Sequence, residues 1–139
     1  MKMVYQHTTR SKFQDASLLI TRLVLAAIFL YAGYGKWAFL SSGTVELPQV
    51  MVILTTFLMI VEPLGALGLI FGYLTRWASA GLSLIMFGSL FFLRLSMGTA
   101  FFTMPQATGL DYNVLILAGC LMLAGFGAGK WSLDALRSR

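Results

Sequence analysis

Glu62 is the residue from which the most chemistry follows. It stands in the middle of an apolar run, Val50 to Tyr73, with Pro63 directly after it and Gly65, Gly68 and Gly72 beyond. A carboxylate with no water within reach faces a cation, a polar pocket or both. Proline removes a backbone hydrogen bond and often kinks a membrane helix, which opens room beside the carboxylate. Two cations are candidates to meet it. Lys36 lies near the end of one apolar run and Arg94 near the end of another. If those runs are helices crossing in opposite directions, both cations stand roughly 10 Å above the midplane. Asp111 is placed at the rim above them. The expectation is one polar site in the outer half of the molecule, with Glu62, Lys36 and Arg94 as its catalytic groups. Tyr31, Tyr34, Asp111 and Tyr112 would line a substrate slot there. The competing expectation is that Lys36 and Arg94 snorkel separately to the interface.

Arg22 reads differently. It lies about one turn inside its apolar run, so it either snorkels or forms a structural charge pair with Asp134. Arg22, Ala26, Phe29, Gly33 and Lys36 follow steps of four, three, four and three, which places them on one helical face. Gly33 and Gly35, and the GxxxG of Gly68 and Gly72, permit close helix approach.

The elements that must position these groups are set by composition. Of the 139 residues, 58% are hydrophobic and 11% charged, against roughly 45–50% and about 25% in soluble domains. The mean hydropathy is +0.82. A soluble fold of this size has no interior large enough to hide that surface. The apolar runs cover about residues 18–40, 50–73, 77–97 and 112–129, each near the ~20 residues that cross a bilayer as a helix. Backbone groups in lipid must pair within the segment, so the expected fold is all-α: an integral membrane four-helix bundle. Residues 1–17 form an N-terminal tail, 18–136 the bundle and 137–139 a C-terminal tail.

Charge gives the orientation. The chain carries 10 Lys+Arg against 5 Asp+Glu. Lys2, Arg10, Lys12, Arg76, Lys130, Arg137 and Arg139 fall in the tails and the second connection, whereas connections 41–49 and 98–111 hold no Lys or Arg. By the positive-inside rule both termini are cytoplasmic. Scattered basic residues of this kind do not track a phosphate backbone, so a nucleic-acid partner is excluded. A lone Cys120 and a lone His7, in the polar tail, exclude intrachain disulfides, CxxC redox pairs, iron–sulfur clusters and bis-histidine haem. No metal site and no intrinsic cofactor are expected. The stretch Ala124–Trp131 imitates a phosphate loop, but lacks its first glycine, its hydroxyl residue and a preceding strand.

Three motifs in order resemble those of the DoxX family of small membrane proteins. These are Leu19–Lys36 with Arg22 and a closing Ala-Gly-x-Gly-Lys, Glu62–Arg76 with its glycines and Leu-Thr-Arg, and Gly127–Asp134, Gly-x-Gly-Lys-Trp-Ser-Leu-Asp. The matching positions include Arg22, Gly33, Lys36, Glu62, Gly65, Arg76 and Asp134. The resemblance implies a four-helix protein of the inner membrane, associated with quinone- or thiol-linked redox systems. The corresponding functional expectation is an oxidoreductase subunit that binds a quinone between its helices and receives electrons from a partner. The alternatives are a non-enzymatic subunit that anchors a larger complex or a homo-oligomer, and a transporter of small anions or protons.

Overall fold

The computed structural model describes residues 11–43 and 48–137. Lys2, His7, Arg10, Arg139 and most of the 1–17 tail lie outside them. Five helices follow in order: α1 (Lys12–Ser42), α2 (Gln49–Phe71), α3 (Thr75–Ser96), α4 (Leu110–Phe126) and the short α5 (Leu133–Arg137). Among the described residues there is no strand, only an isolated bridge between Met104 and Ala107 in the α3–α4 loop. The all-α membrane bundle expected from composition is the fold, and α1, α2 and α3 are each long and apolar enough to cross a bilayer.

Helix starts and stops follow local chemistry. Ser11 caps α1 through the N–H of Gln14, and Gln14 reaches back to the N–H of Ser11. This reciprocal box satisfies two of the donors left free at a helix start. Gly72, at φ +64°, ends α2 in the left-handed conformation that glycine adopts without a Cβ penalty. The fourth helix ends three residues earlier than its apolar run. Gly127, at φ +78°, breaks it, and the chain turns to deliver the carbonyls of Ala128 and Trp131 to Arg22.

The four long helices pack as two antiparallel pairs, α1 on α2 and α3 on α4, joined by a narrower α2–α3 contact. The buried face of α1 is Asp15, Leu18, Arg22, Leu25, Ala26, Phe29 and Gly33, the stripe that the spacing defines. With Ala66, Leu69, Leu82, Ile116, Cys120 and Leu123 it forms the core. Most other large apolar side chains point outward, among them Ile53, Phe57, Leu84 and Leu115. Outward apolar surface on this scale is what a bilayer, and not water, accommodates.

Polar groups hold the end of the bundle where α1 begins and α2 meets α3. Arg22 is buried, and its guanidinium donates to the carbonyls of Leu69 (2.8 Å), Ile70 (3.0 Å), Ala128 (2.8 Å) and Trp131 (3.0 Å). These carbonyls end α2 and shape the turn after α4, where the helix leaves acceptors without internal donors. Asp134 accepts from the N–H groups of Leu74 and Thr75, both at 2.8 Å, and so caps the start of α3. Asp15 is buried and accepts from the N–H of Lys130. Arg22 and Asp134, expected as a structural charge pair, make no direct ion pair. Each binds the backbone of the same α2–α3 turn, and Arg22 does not snorkel.

Candidate intramembrane site

The site begins with a glycine. On α1, Gly33 packs against α2 so closely that a Cβ would lie 2.4 Å from Pro63 Cγ. Pro63 and Gly33 thus set the distance between the two helices. One turn beyond Gly33, Lys36 leans across the seam, and its Nζ lies 2.6 Å from Glu62 Oε2. This is the one ion pair among the described residues. Its members differ in access: the Glu62 side chain is 2% exposed and that of Lys36 26%. Two opposite charges in hydrocarbon neutralise one another, and each spares the other an uncompensated burial.

The pair opens on a cavity of about 320 Å³ between α1, α2, α3 and α4. Phe29, Met86 and Ile116 supply apolar wall, while Tyr31, Ser89, Tyr112 and Asn113 add polar groups at its edge. Among the described residues, the hydroxyl of Ser89 and the amide of Asn113 have no hydrogen-bond partner in the protein. An apolar slot with a few convergent donors beside one ion pair is the general form of a small-molecule site.

Of the residues expected at this site, Glu62, Lys36, Tyr31 and Tyr112 come together. Tyr34 does not. It is 61% exposed and stacks on Trp37, ring centroids 5.8 Å apart, on the outside of α1. Arg94 does not reach the pair either, since it is exposed and donates to the carbonyl of Thr99 at the end of its own helix. Asp111 also serves the α3–α4 loop. It accepts from the hydroxyl of Thr103 at 2.6 Å and from the Thr103 N–H at 3.0 Å, ahead of the apolar run of α4. The Thr103 hydroxyl, with the backbone N–H groups of Thr103 and Tyr112, holds the Asp111 carboxyl below the usual carboxylate range. Ser89 and Asn113 were not singled out from sequence. The sequence signal for this pair is an asparagine inside an apolar run, a polar group without formal charge.

Gly33, Lys36, Glu62 and Arg22 are positions at which the sequence resembles the DoxX motifs. Residues 17–95, more than half of the chain, match DoxX. The inner membrane protein YqjF of Escherichia coli (strain K12) is 28% identical over 137 residues, spanning 92% of this chain and 97% of its own. No solved structure matches. A helical membrane bundle built around these same motif positions, with a family match over α1, α2 and most of α3, places the chain in the DoxX family.

Proposed function

We propose that the chain is the membrane subunit of a quinone- or thiol-linked oxidoreductase system, and that the cavity beside Lys36 and Glu62 holds the head of a quinone. The observation that carries this reading is a buried ion pair facing a cavity edged by donors without protein partners. A quinone head is flat and uncharged, with two carbonyl oxygens, and such a group suits an apolar slot with donors at its edge. Lys36 spends one N–H on Glu62 and keeps two for a carbonyl oxygen. Within the pair the proton is on Lys36, which would give it to that oxygen, and Glu62, the base beside it, would take up and relay the proton that replaces it. Reduction to the quinol takes two electrons and two protons, and the electrons come from a partner subunit or a soluble reductant.

The end of the bundle carrying Lys12, Arg76, Lys130 and Arg137 is the cytoplasmic one in this reading, in the inner membrane as for YqjF. Impermeant thiol labelling of Ser11→Cys and Gly98→Cys in intact cells tests the orientation; only the second should react.

Saturable binding of a quinone analogue to the purified protein tests the site, with loss or severe weakening expected in Glu62→Gln. Absence of saturable binding overturns it. A second reading, an anchoring subunit, draws on Gly35 and Gly81, which are exposed and have open space where a Cβ would stand. Another helix can approach closely at such positions. A stoichiometric large partner that co-purifies from native membranes is the expected sign.

A further inference from the structure

The α2–α3 seam is not uniform along its length. Near the shared turn the helices touch: a Cβ on Gly65 would lie 3.0 Å from Leu82, and one on Gly68 3.3 Å from Ala78. Toward the far ends they part. Between them lies a second cavity of about 430 Å³, an apolar groove running from Leu58 and Ile85 to Met51 and Phe92. Leu54, Phe57 and Leu84 on its sides are 46%, 57% and 74% exposed, so the groove faces the bilayer.

The groove and the polar cavity share a wall. Leu58, Ile85 and Ser89 line both. Leu58 and Ile85 stand near the middle of α2 and α3, so the boundary lies at mid-membrane depth. Gly88 leaves the groove side open, with nothing within 4 Å of where its Cβ would be. From Met51 to Leu58 the groove runs about 10 Å at 1.5 Å per residue.

We infer that the ligand enters the polar cavity sideways from the bilayer, between α2 and α3, and that it is a single-tailed amphiphile with an uncharged, hydrogen-bonding head. The head passes Ser89 to reach Lys36 and Glu62, and the tail stays along the groove. Depth selects this class. A phospholipid keeps its charged headgroup at the interface, because taking charge to mid-membrane is costly. An uncharged head with one or two acceptors crosses that depth at little cost and regains hydrogen bonds from Ser89, Asn113 and Lys36. The α2–α3 contact is narrower than those within the α1–α2 and α3–α4 pairs, so this seam opens more readily than either of those. The inference rests on the quinone-site reading for the head, while the groove rests on its own geometry.

The experiment compares a decyl-tailed benzoquinone with the same ring carrying a methyl group in place of the tail. Both are titrated onto the full-length protein in nanodiscs, as wild type and as Gly88→Phe. The phenylalanine enters open space, so it fills the groove without displacing a helix. The tailed-to-tailless affinity ratio is expected to fall about tenfold in Gly88→Phe; an unchanged ratio overturns the lateral route. If neither ring binds, the quinone reading fails and the groove is decided separately. A decyl-chain photoprobe with a plain phenol head should then label residues around Leu54 and Phe92, and less so in Gly88→Phe. Label spread evenly over the lipid-facing residues overturns the groove.

Discussion

Lys36 Nζ lies 2.6 Å from Glu62 Oε2, and the two come from neighbouring helices whose separation is fixed by Gly33 against Pro63. Removing one partner leaves a buried charge without compensation, which typically costs about 3–5 kcal/mol, whereas replacing both with apolar groups is often neutral or stabilising. Glu62→Leu and Lys36→Met should each lower thermal stability in detergent, the glutamate partner being the more deeply buried. The double variant should recover most of the loss while still failing to bind a quinone analogue. Unfolding followed by tryptophan fluorescence, beside binding, separates the two roles. Additive losses in the double variant would show that the pair is not coupled.

The pair is legible in the sequence because charge in hydrocarbon must be answered, and Lys36, of opposite sign, has a side chain long enough to reach down toward the deeper Glu62. Arg94 stands at the expected height along α3 but at a different azimuth. The buried face of α3 runs through Thr75, Ser79, Leu82 and Met86. Continued by the same steps it reaches Ser89, whose side chain lines the cavity, and Leu93. Arg94 falls one residue later, about 100° around the helix, and so turns away. The same periodic rule placed Arg22 correctly on the inner face of α1. Its partners were less legible, because a cation is answered by helix-terminal carbonyls as well as by a carboxylate, and carbonyls carry no sequence signature.

Gly33 and Gly35 stand two residues apart on α1 and make opposite predictions. A Cβ at Gly33 would lie 2.4 Å from Pro63 Cγ and 2.9 Å from its Cδ, inside a buried seam. A Cβ at Gly35 meets nothing within 4 Å. Gly33→Ala should force α1 and α2 apart, lower stability by about 1–3 kcal/mol, and weaken ligand binding by stretching the Lys36–Glu62 pair. Gly35→Ala should leave both unchanged. Parallel melting curves and binding isotherms for the two variants check this, and equal effects would contradict the geometry.

The α3–α4 loop should respond to acid. Thr103 holds the Asp111 carboxyl below its ordinary range, so the carboxylate form is the one the folded loop prefers. A group with a lowered folded pKa contributes its full stability above its unfolded value and loses it as pH falls through the folded one. Amide exchange in residues 99–110 should therefore speed up relative to the helices at strongly acid pH, and not near neutrality. Thr103→Ala should shift the onset of that change to higher pH. Mass-spectrometric exchange at several pH values reads both effects.

Arg22 is bound by four carbonyls from two segments, the end of α2 and the turn after α4, and joins them beside the bonds that Asp134 makes to the α2–α3 turn. Lysine keeps the charge but offers three donors from one point, so it cannot replace a planar fork that binds both segments at once. Arg22→Lys should therefore behave much like Arg22→Met, each leaving buried carbonyls unpaired at about 1–3 kcal/mol apiece. The damage should be local at first. Gly72, whose Cβ position lies 2.7 Å from an Arg22 nitrogen, and α5, whose Asp134 N–H donates to the Gly72 carbonyl, depend on the clamp. Limited proteolysis near Trp131–Arg137 should accelerate in Arg22→Lys before the bundle melts. Rescue by lysine to wild-type resistance would show that charge, and not the fork of donors, holds this end together.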